Sequence, residues 1–281
     1  MQSVYKKYIS FYKSYPISLG ALMLVLCFTS CEKVIDVDLE NADKKYVIEA
    51  NLSDQPGSAE VLLTQTKDFD ENNSFLGISG ALVTITDNNG TPVTLLETAP
   101  GVYKAPTLTG VPGHIYQLHV TVNGQVFTST CSMPALVSFD SLFITEREFF
   151  GETNKYATVV YTDPVGRQNA YRFIQYVNGT REETNFVRDD DSNDGLKVER
   201  TLLYFYDDEE EEERKLKSGD HVRIEMLGIS YPVYKYWYSL SQSATGESDS
   251  ATPGNPVSNI QGGALGYFSV HTIQSKSVIV P

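Results

Sequence analysis

From Tyr46 to Met133, apolar and polar residues alternate with period two in short runs separated by turn signals. The runs are residues 46–52, 60–66, 81–87, 92–97, 102–105, 115–122 and 125–133. Between them stand Asp54-Gln55-Pro56-Gly57, Asn88-Asn89-Gly90, Pro100-Gly101, Val111-Pro112-Gly113 and Asn123-Gly124. Seven short strands with such punctuation predict a β-sandwich. Asn123-Gly124 is the clearest turn, because both residues tolerate the positive φ of a type I′ hairpin. In the strand before it, Tyr116, Leu118, Val120 and Val122 share one face, and Phe127, Cys131 and Met133 share a face in the strand after it. Cys131 is therefore expected as a small core residue.

Pro134 ends that run, and residues 134–141 read as a joint. Beyond it, strands are expected at 155–162, 170–178, 197–206, 220–229 and 265–280. One stretch changes period: after Pro232, Val233, Tyr236, Trp237, Leu240 and Ala244 recur at helical spacing, predicting one amphipathic helix over about 232–244. The fold class is thus mainly β, a seven-stranded sandwich over 46–137 followed by a β-rich unit over 138–281 with one helix.

The beginning of the chain follows a different pattern. Lys6, Lys7 and Lys13 precede a twelve-residue apolar run from Ile17 to Phe28, shorter than the roughly 20 residues a spanning helix needs. A basic start, a short apolar run and small residues mark an export signal. Here the small residues lead into Cys31, and Phe28-Thr29-Ser30-Cys31 resembles a bacterial lipobox with Phe in place of the usual Leu. The expectation is a signal over 1–30, lipidation of Cys31, and a polar tether over 31–45. Cys27 follows the bulky Leu26 and suits that role less. Lipidation leaves Cys131 as the last free thiol, with no partner for an internal disulfide.

Charge narrows the partners. The chain has 22 Lys and Arg against 36 Asp and Glu, a formal charge of −14, which argues against nucleic acid. Loss of residues 1–30 removes three lysines and no acid, leaving 19 bases against 36 acids, or −17. Twelve of the acids lie between Asp189 and Glu213, beside only Lys197 and Arg200. Asp207 to Glu213 is an unbroken acidic run that must stay in water, either as a contact for basic partners or as a charged guard on the strand edges.

Within this region Asp190, Ser192 and Asp194 followed by Gly195 have the spacing of a calcium loop, the one cofactor the residues suggest. Position twelve of that loop is Thr201, where a bidentate Glu belongs, so a plain acidic loop is the competing reading. Asp68, Asp70 and Glu71 make a second acidic loop with poorer spacing. Tyr204 and Tyr206 share a strand face, and Tyr234 and Tyr238 a helix face, where exposed rings could stack on sugars and buried ones would simply pack. Catalytic patterns do not emerge: His114, His119, His221 and His271 are scattered, and neither a zinc-protease helix motif nor a nucleophile elbow occurs. His119 and His221 fall on polar strand faces and are expected at the surface. The chain reads as non-enzymatic.

Several stretches together resemble a family of Bacteroidetes outer-membrane lipoproteins, domain of unknown function 4249. They are Val34 to Asp38, Tyr46 to Ala50 with Asp54 to Gly57, Ser79 to Ile85, Pro100 to Tyr103, Gly113 to Leu118, Asn255-Pro256, Asn259-Ile260, and Gly262 to Phe268. The 80–133 stretch is similar to transthyretin-like or carboxypeptidase-regulatory-like sandwiches, within the wider Ig-like class. The resemblance implies an outer-membrane lipoprotein that accompanies a TonB-dependent transporter in nutrient uptake, and no established chemistry. It leaves open a stand-alone glycan- or peptide-binding lipoprotein, or a fimbrial or adhesin subunit. Asp140-Ser141-Leu142 and Asp249-Ser250-Ala251 resemble the O-glycan acceptor of that bacterial group, with Ser250 in an open loop and Ser141 beside apolar residues that point to burial.

Overall fold

The computed structural model describes residues 44–67, 76–88, 90–149, 151–166, 168–204, 214–245 and 254–281. The alternating runs of the first half become seven strands: β1 (Tyr46–Ser53), β2 (Ala59–Gln65), β3 (Leu82–Asp87), β4 (Val93–Ala99), β5 (Val102–Ala105), β6 (Ile115–Val122) and β7 (Gln125–Ser132). Their order is β1-β2-β5-β4 on one side and β3-β6-β7 on the other, the arrangement of a constant-type immunoglobulin sandwich. β4 touches both sheets. Val93 to Leu95 pair with β3, while Leu96 to Ala99 pair with β5 through an irregular register.

Two tyrosines pin the loops of this sandwich. The Tyr116 hydroxyl, at the start of β6, accepts the Val111 N–H at 2.8 Å, which is the tyrosine corner of immunoglobulin-like domains. The Tyr103 hydroxyl donates to Ile78 O at 2.8 Å and accepts from Ala81 N at 3.0 Å, holding the strand that leads into β3. At the β6–β7 hairpin, Asn123 and Gly124 have φ of 49° and 77°, as the turn type requires.

The second half comprises β8 (Phe139–Phe149), β9 (Glu152–Thr162), β10 (Ala170–Val177), β11 (Thr180–Arg181), β12 (Phe186–Asp189), β13 (Lys197–Thr201), β14 (His221–Ile229), α1 (Tyr231–Thr245) and β15 (Leu265–Ile279). A small sheet β13-β9-β8 packs on β10, β14 and the end of β15, with Tyr161 against Tyr171 and Phe173 at ring separations of 4.6 and 5.8 Å. Two expectations are corrected here. The joint is shorter than 134–141, because β8 starts at Phe139; its consecutive Leu142-Phe143-Ile144 and its half-exposed edge hide the period. β13 stops at Thr201, short of the 206 expected: Leu202 N–H makes a last in-register bond to the Ala157 carbonyl, and Leu203 N–H then folds back onto the Thr201 carbonyl at 3.2 Å.

β15 joins the halves. Leu265 to His271 run parallel to Val47–Ser53 of β1, and Thr272 to Ile279 run antiparallel to β14. The resulting strand path is continuous from β11 to β7. One hydrophobic cluster combines β1–β7 side chains with Leu227, Ile229, Val233, Phe268 and Val270 from beyond residue 138. Asp43–Pro281 accordingly forms one compact unit, with the sequence boundary near 137 crossed by paired main chain. Among the described residues no helix is long and apolar enough to cross a membrane.

Candidate functional site

α1 supplies the densest group of functional side chains. The Ser230 carbonyl accepts the Tyr234 N–H and closes its first turn, where Pro232 has no N–H to lose. The helix buries Val233 and Tyr236 and contacts β10, β12 and β15. It covers a sheet face that carries polar residues. Arg172 of β10 is buried with its guanidinium carbon 3.4 Å from the Trp237 ring centre, and its Nε donates to Asn185 Oδ1 at 3.2 Å. Asn185 in turn donates to the Trp237 carbonyl at 2.9 Å. Burial pulls the Arg172 pKa down to about 10, so the cation persists, held over an aromatic face. Burial raises the Glu49 carboxyl although Arg172 and Arg181 act against it. His271, beside Ser269 Oγ at 3.0 Å, is pushed down to about 4 by burial and by Arg172.

On the other side of α1, Tyr231, Tyr234 and Tyr238 stack as a ladder with ring centres 5.5 and 5.6 Å apart. Tyr238 is the exposed end. Tyr231 also borders a crevice of about 300 Å³ where the two halves meet, lined with Pro134, Pro164, Gln168, Asn169 and Ser230. Gln168 holds a φ of 75°, strained for a residue with a side chain. A second concavity, about 470 Å³, lies on the outer face of β3-β6-β7 among Thr84, Thr86, Gln117, His119, Thr128 and Thr130. Its lining is mostly threonine and glutamine hydrogen-bonding groups, with no carboxylate, on an otherwise acidic chain.

The residues singled out in the sequence scatter. Asp190 is buried and accepts the Asn169 N–H, Asp194 Oδ1 accepts the Gly166 N–H at 2.7 Å, and Ser192 is exposed. Asp190 and Asp194 each turn an oxygen to loop main chain, and among the described residues no three His, Cys, Asp or Glu converge as metal ligands. Tyr204 is buried against Tyr156 and Phe186, at 5.4 and 6.3 Å, and presents no free ring face. Ser141 is exposed, contrary to the burial expected of it, because β8 is an edge strand whose outer side chains meet solvent. Cys131 is buried, its thiol raised by burial and bonded to Ser230 Oγ and Val270 N–H at 3.3 Å each. His119 and His221 are exposed. Cys31, Tyr206, Ser250, Asp68, Asp70, Glu71 and the acidic run 207–213 lie outside the described residues.

The Arg172–Trp237 stack and the Tyr231 end of the ladder carry little sequence signal. Arg172 sits in an alternating strand at a position that reads as outward, and only the later helix encloses it.

Among solved structures the chain is similar to a two-domain fibronectin type-III segment of chicken tenascin, at 12% identity, over 85% of this chain and all of that one. The TM-score is 0.25, too low for that likeness to carry an argument. No curated protein matches the chain. The family model described as domain of unknown function 4249 matches residues 32–277, nearly the whole of the chain beyond Cys31. The chain belongs to that family.

Proposed function

We propose that this protein is a non-enzymatic outer-membrane lipoprotein, moored by lipid on Cys31, that assists a TonB-dependent transporter in nutrient uptake. The observation that carries the reading is the basic start, short apolar run and Phe28-Thr29-Ser30-Cys31 at the head of the chain. Three acyl chains on one cysteine far exceed the marginal hold of a single one. The family resemblance supports the transporter as partner, and the crevice beside Tyr231 with the tyrosine ladder of α1 offers an anchor of the aromatic kind that interfaces favour.

Fractionation and native capture test it. The chain should sediment with outer membrane, its first peptide should begin at acylated Cys31, and Cys31→Ala should release it to the soluble fraction. A photo-crosslinker at Tyr238 should then capture a transporter from intact envelopes. An unmodified Cys31 overturns the anchor, and an anchored chain that captures no transporter overturns the partnership.

A second reading, a glycan- or peptide-binding lipoprotein acting alone, is favoured by one observation: the ladder ends in an exposed ring, Tyr238. Glycan and peptide arrays with Tyr238→Ala separate the two readings, since only the second predicts a ligand in the absence of transporter.

A further inference from the structure

β8 closes one side of the small sheet and leaves its own outer edge open. It runs for 11 residues, and among the described residues it pairs only with β9. Main-chain groups at alternate positions of an antiparallel strand point to opposite edges. The Ala157 carbonyl accepts Leu202 N–H at 2.8 Å, and Asp163 N–H donates to the Leu196 carbonyl at 2.9 Å. Odd-numbered residues of β9 therefore bond toward β13, and even-numbered ones toward β8. Tyr156, Thr158 and Val160 stand opposite Thr145, Phe143 and Ser141. The N–H and C=O groups of Leu142, Ile144, Glu146 and Glu148 thus point out of the sheet. Leu142 and Ile144 pack their side chains on the second core, Phe143 is 38% exposed, and Glu146, Arg147 and Glu148 are exposed. Edge strands are usually short, bulged or charged, which keeps other strands away. Here the register irregularity sits at one end, between Phe139 and Ser141, and the charges gather at the other. Ser141 to Thr145 carry neither guard.

An open edge of this kind accepts an added strand, and the charges along β8 select which one. We propose that β8 pairs antiparallel with β8 of a second copy of this chain, about a two-fold axis at Thr145. Opposed residues must both point outward or both inward, so the axis falls on a residue and the registers are few. An axis at Glu146 or Arg147 sets that residue against its own like charge. An axis at Phe143 or Ile144 opposes Asp140 to Glu146 or Glu148. With the axis at Thr145, no like charges stand opposite: Ile144 faces the partner's Glu146, and Phe143 faces the partner's Arg147. Phe143 and Arg147 share the outer face, where the Arg147 guanidinium donates to Thr201 Oγ1 at 3.3 Å. The two-fold brings an exposed ring and a guanidinium together twice, as a pair of cation–π contacts. The outward groups of Leu142, Ile144, Glu146 and Glu148 then exchange about eight main-chain hydrogen bonds across the axis. The uncharged stretch from Ser141 to Thr145 is also where two strongly anionic chains approach with least repulsion. The pairing does not depend on the transporter reading.

The test uses the full chain, purified in detergent. Sedimentation, corrected for bound detergent, should give two chains per particle. Thr145→Cys places two thiols at the axis, in a non-hydrogen-bonded pair with α-carbons about 4.5 Å apart, within disulfide range. Mild oxidation should link most of those chains into dimers. Arg147→Cys alone should stay unlinked, whereas Phe143→Cys combined with Arg147→Cys should link. The buried Cys131 thiol, present in every variant, sets the background. Glu146→Pro removes an outward N–H at an edge position that tolerates proline, and should shift the particle to one chain while the melting temperature moves by under about 3 °C. A wild type that sediments as one chain overturns the proposal, and this outcome needs no variant to fold. A dimer in which Thr145→Cys stays unlinked also overturns it, by placing the contact elsewhere on the surface. Linkage of Arg147→Cys alone would overturn the register and with it the charge argument.

Discussion

Gly266 stands opposite Ile48 where β15 joins β1, with a φ of 95°. A methyl group at its α-carbon would overlap the Ile48 carbonyl oxygen, a main-chain atom fixed in the sheet. Gly266→Ala therefore meets both a disfavoured backbone conformation and a clash, and should cost at least about 2 kcal/mol in urea unfolding. A loss under about 0.5 kcal/mol would mean that the strand pair can shift. His271 makes the second residue-scale prediction. Its pKa is near 4 folded against an ordinary value of 6.5, so the unfolded chain takes up the proton first. Its contribution is whole above pH 6.5 and is lost as pH falls toward 4, for a total of about 3 kcal/mol. His271→Gln should flatten the stability profile between pH 6.5 and 4 relative to wild type, as read by denaturant titration at each pH. Parallel profiles would show that the imidazole charges freely in the folded chain. Nothing in the sequence distinguishes His271 from His119. Both sit in alternating strands, and only the elements packed on β15 make one buried and the other exposed.

At the scale of elements, legibility followed period. Residues 46–133 alternate with one face in the core and one in solvent, so every strand of that half falls within about two residues of its expected place. The helix was legible for the same reason, its apolar positions returning every three or four residues. β8 and β12 were not, because a half-exposed edge strand and a four-residue strand leave too few alternations to read. The candidate site was the least legible part, since the polar face of β10 and β15 becomes interior only when α1 closes over it. Trp237 and Tyr238 are neighbours on that helix with opposite roles. Trp237→Ala removes the ring that covers Arg172 and should destabilise by roughly 2–4 kcal/mol. Tyr238→Ala, at an exposed position, should change stability by under about 0.5 kcal/mol. Thermal melts of the two variants check the pair. Equal losses would mean that the ladder, and not the Arg172 stack, holds the helix.

For the whole molecule the decisive element is β15, which gives its first half to one sandwich and its second half to the other. Without it β1 has a bare edge along Val47–Ser53, and the first core loses Phe268 and Val270, both fully buried. The loop from Asn259 is tied into the same joint: its side chain pairs with both main-chain groups of Phe268 at 2.8 Å, and its carbonyl accepts the Ser129 hydroxyl of β7. An immunoglobulin-like sandwich that closed on its own would not need these groups. Residues 44–137 expressed alone should therefore lack a cooperative transition and bind an apolar dye, whereas 44–281 should unfold in one step. A fragment that melts sharply by itself would make the first sandwich self-sufficient and β15 a mere connection. If instead the halves stand or fall together, destabilisation at Gly266 should reach the tyrosine ladder on α1 as readily as the β1–β15 pair. Hydrogen exchange of the Gly266→Ala variant should then speed up in both places by similar factors.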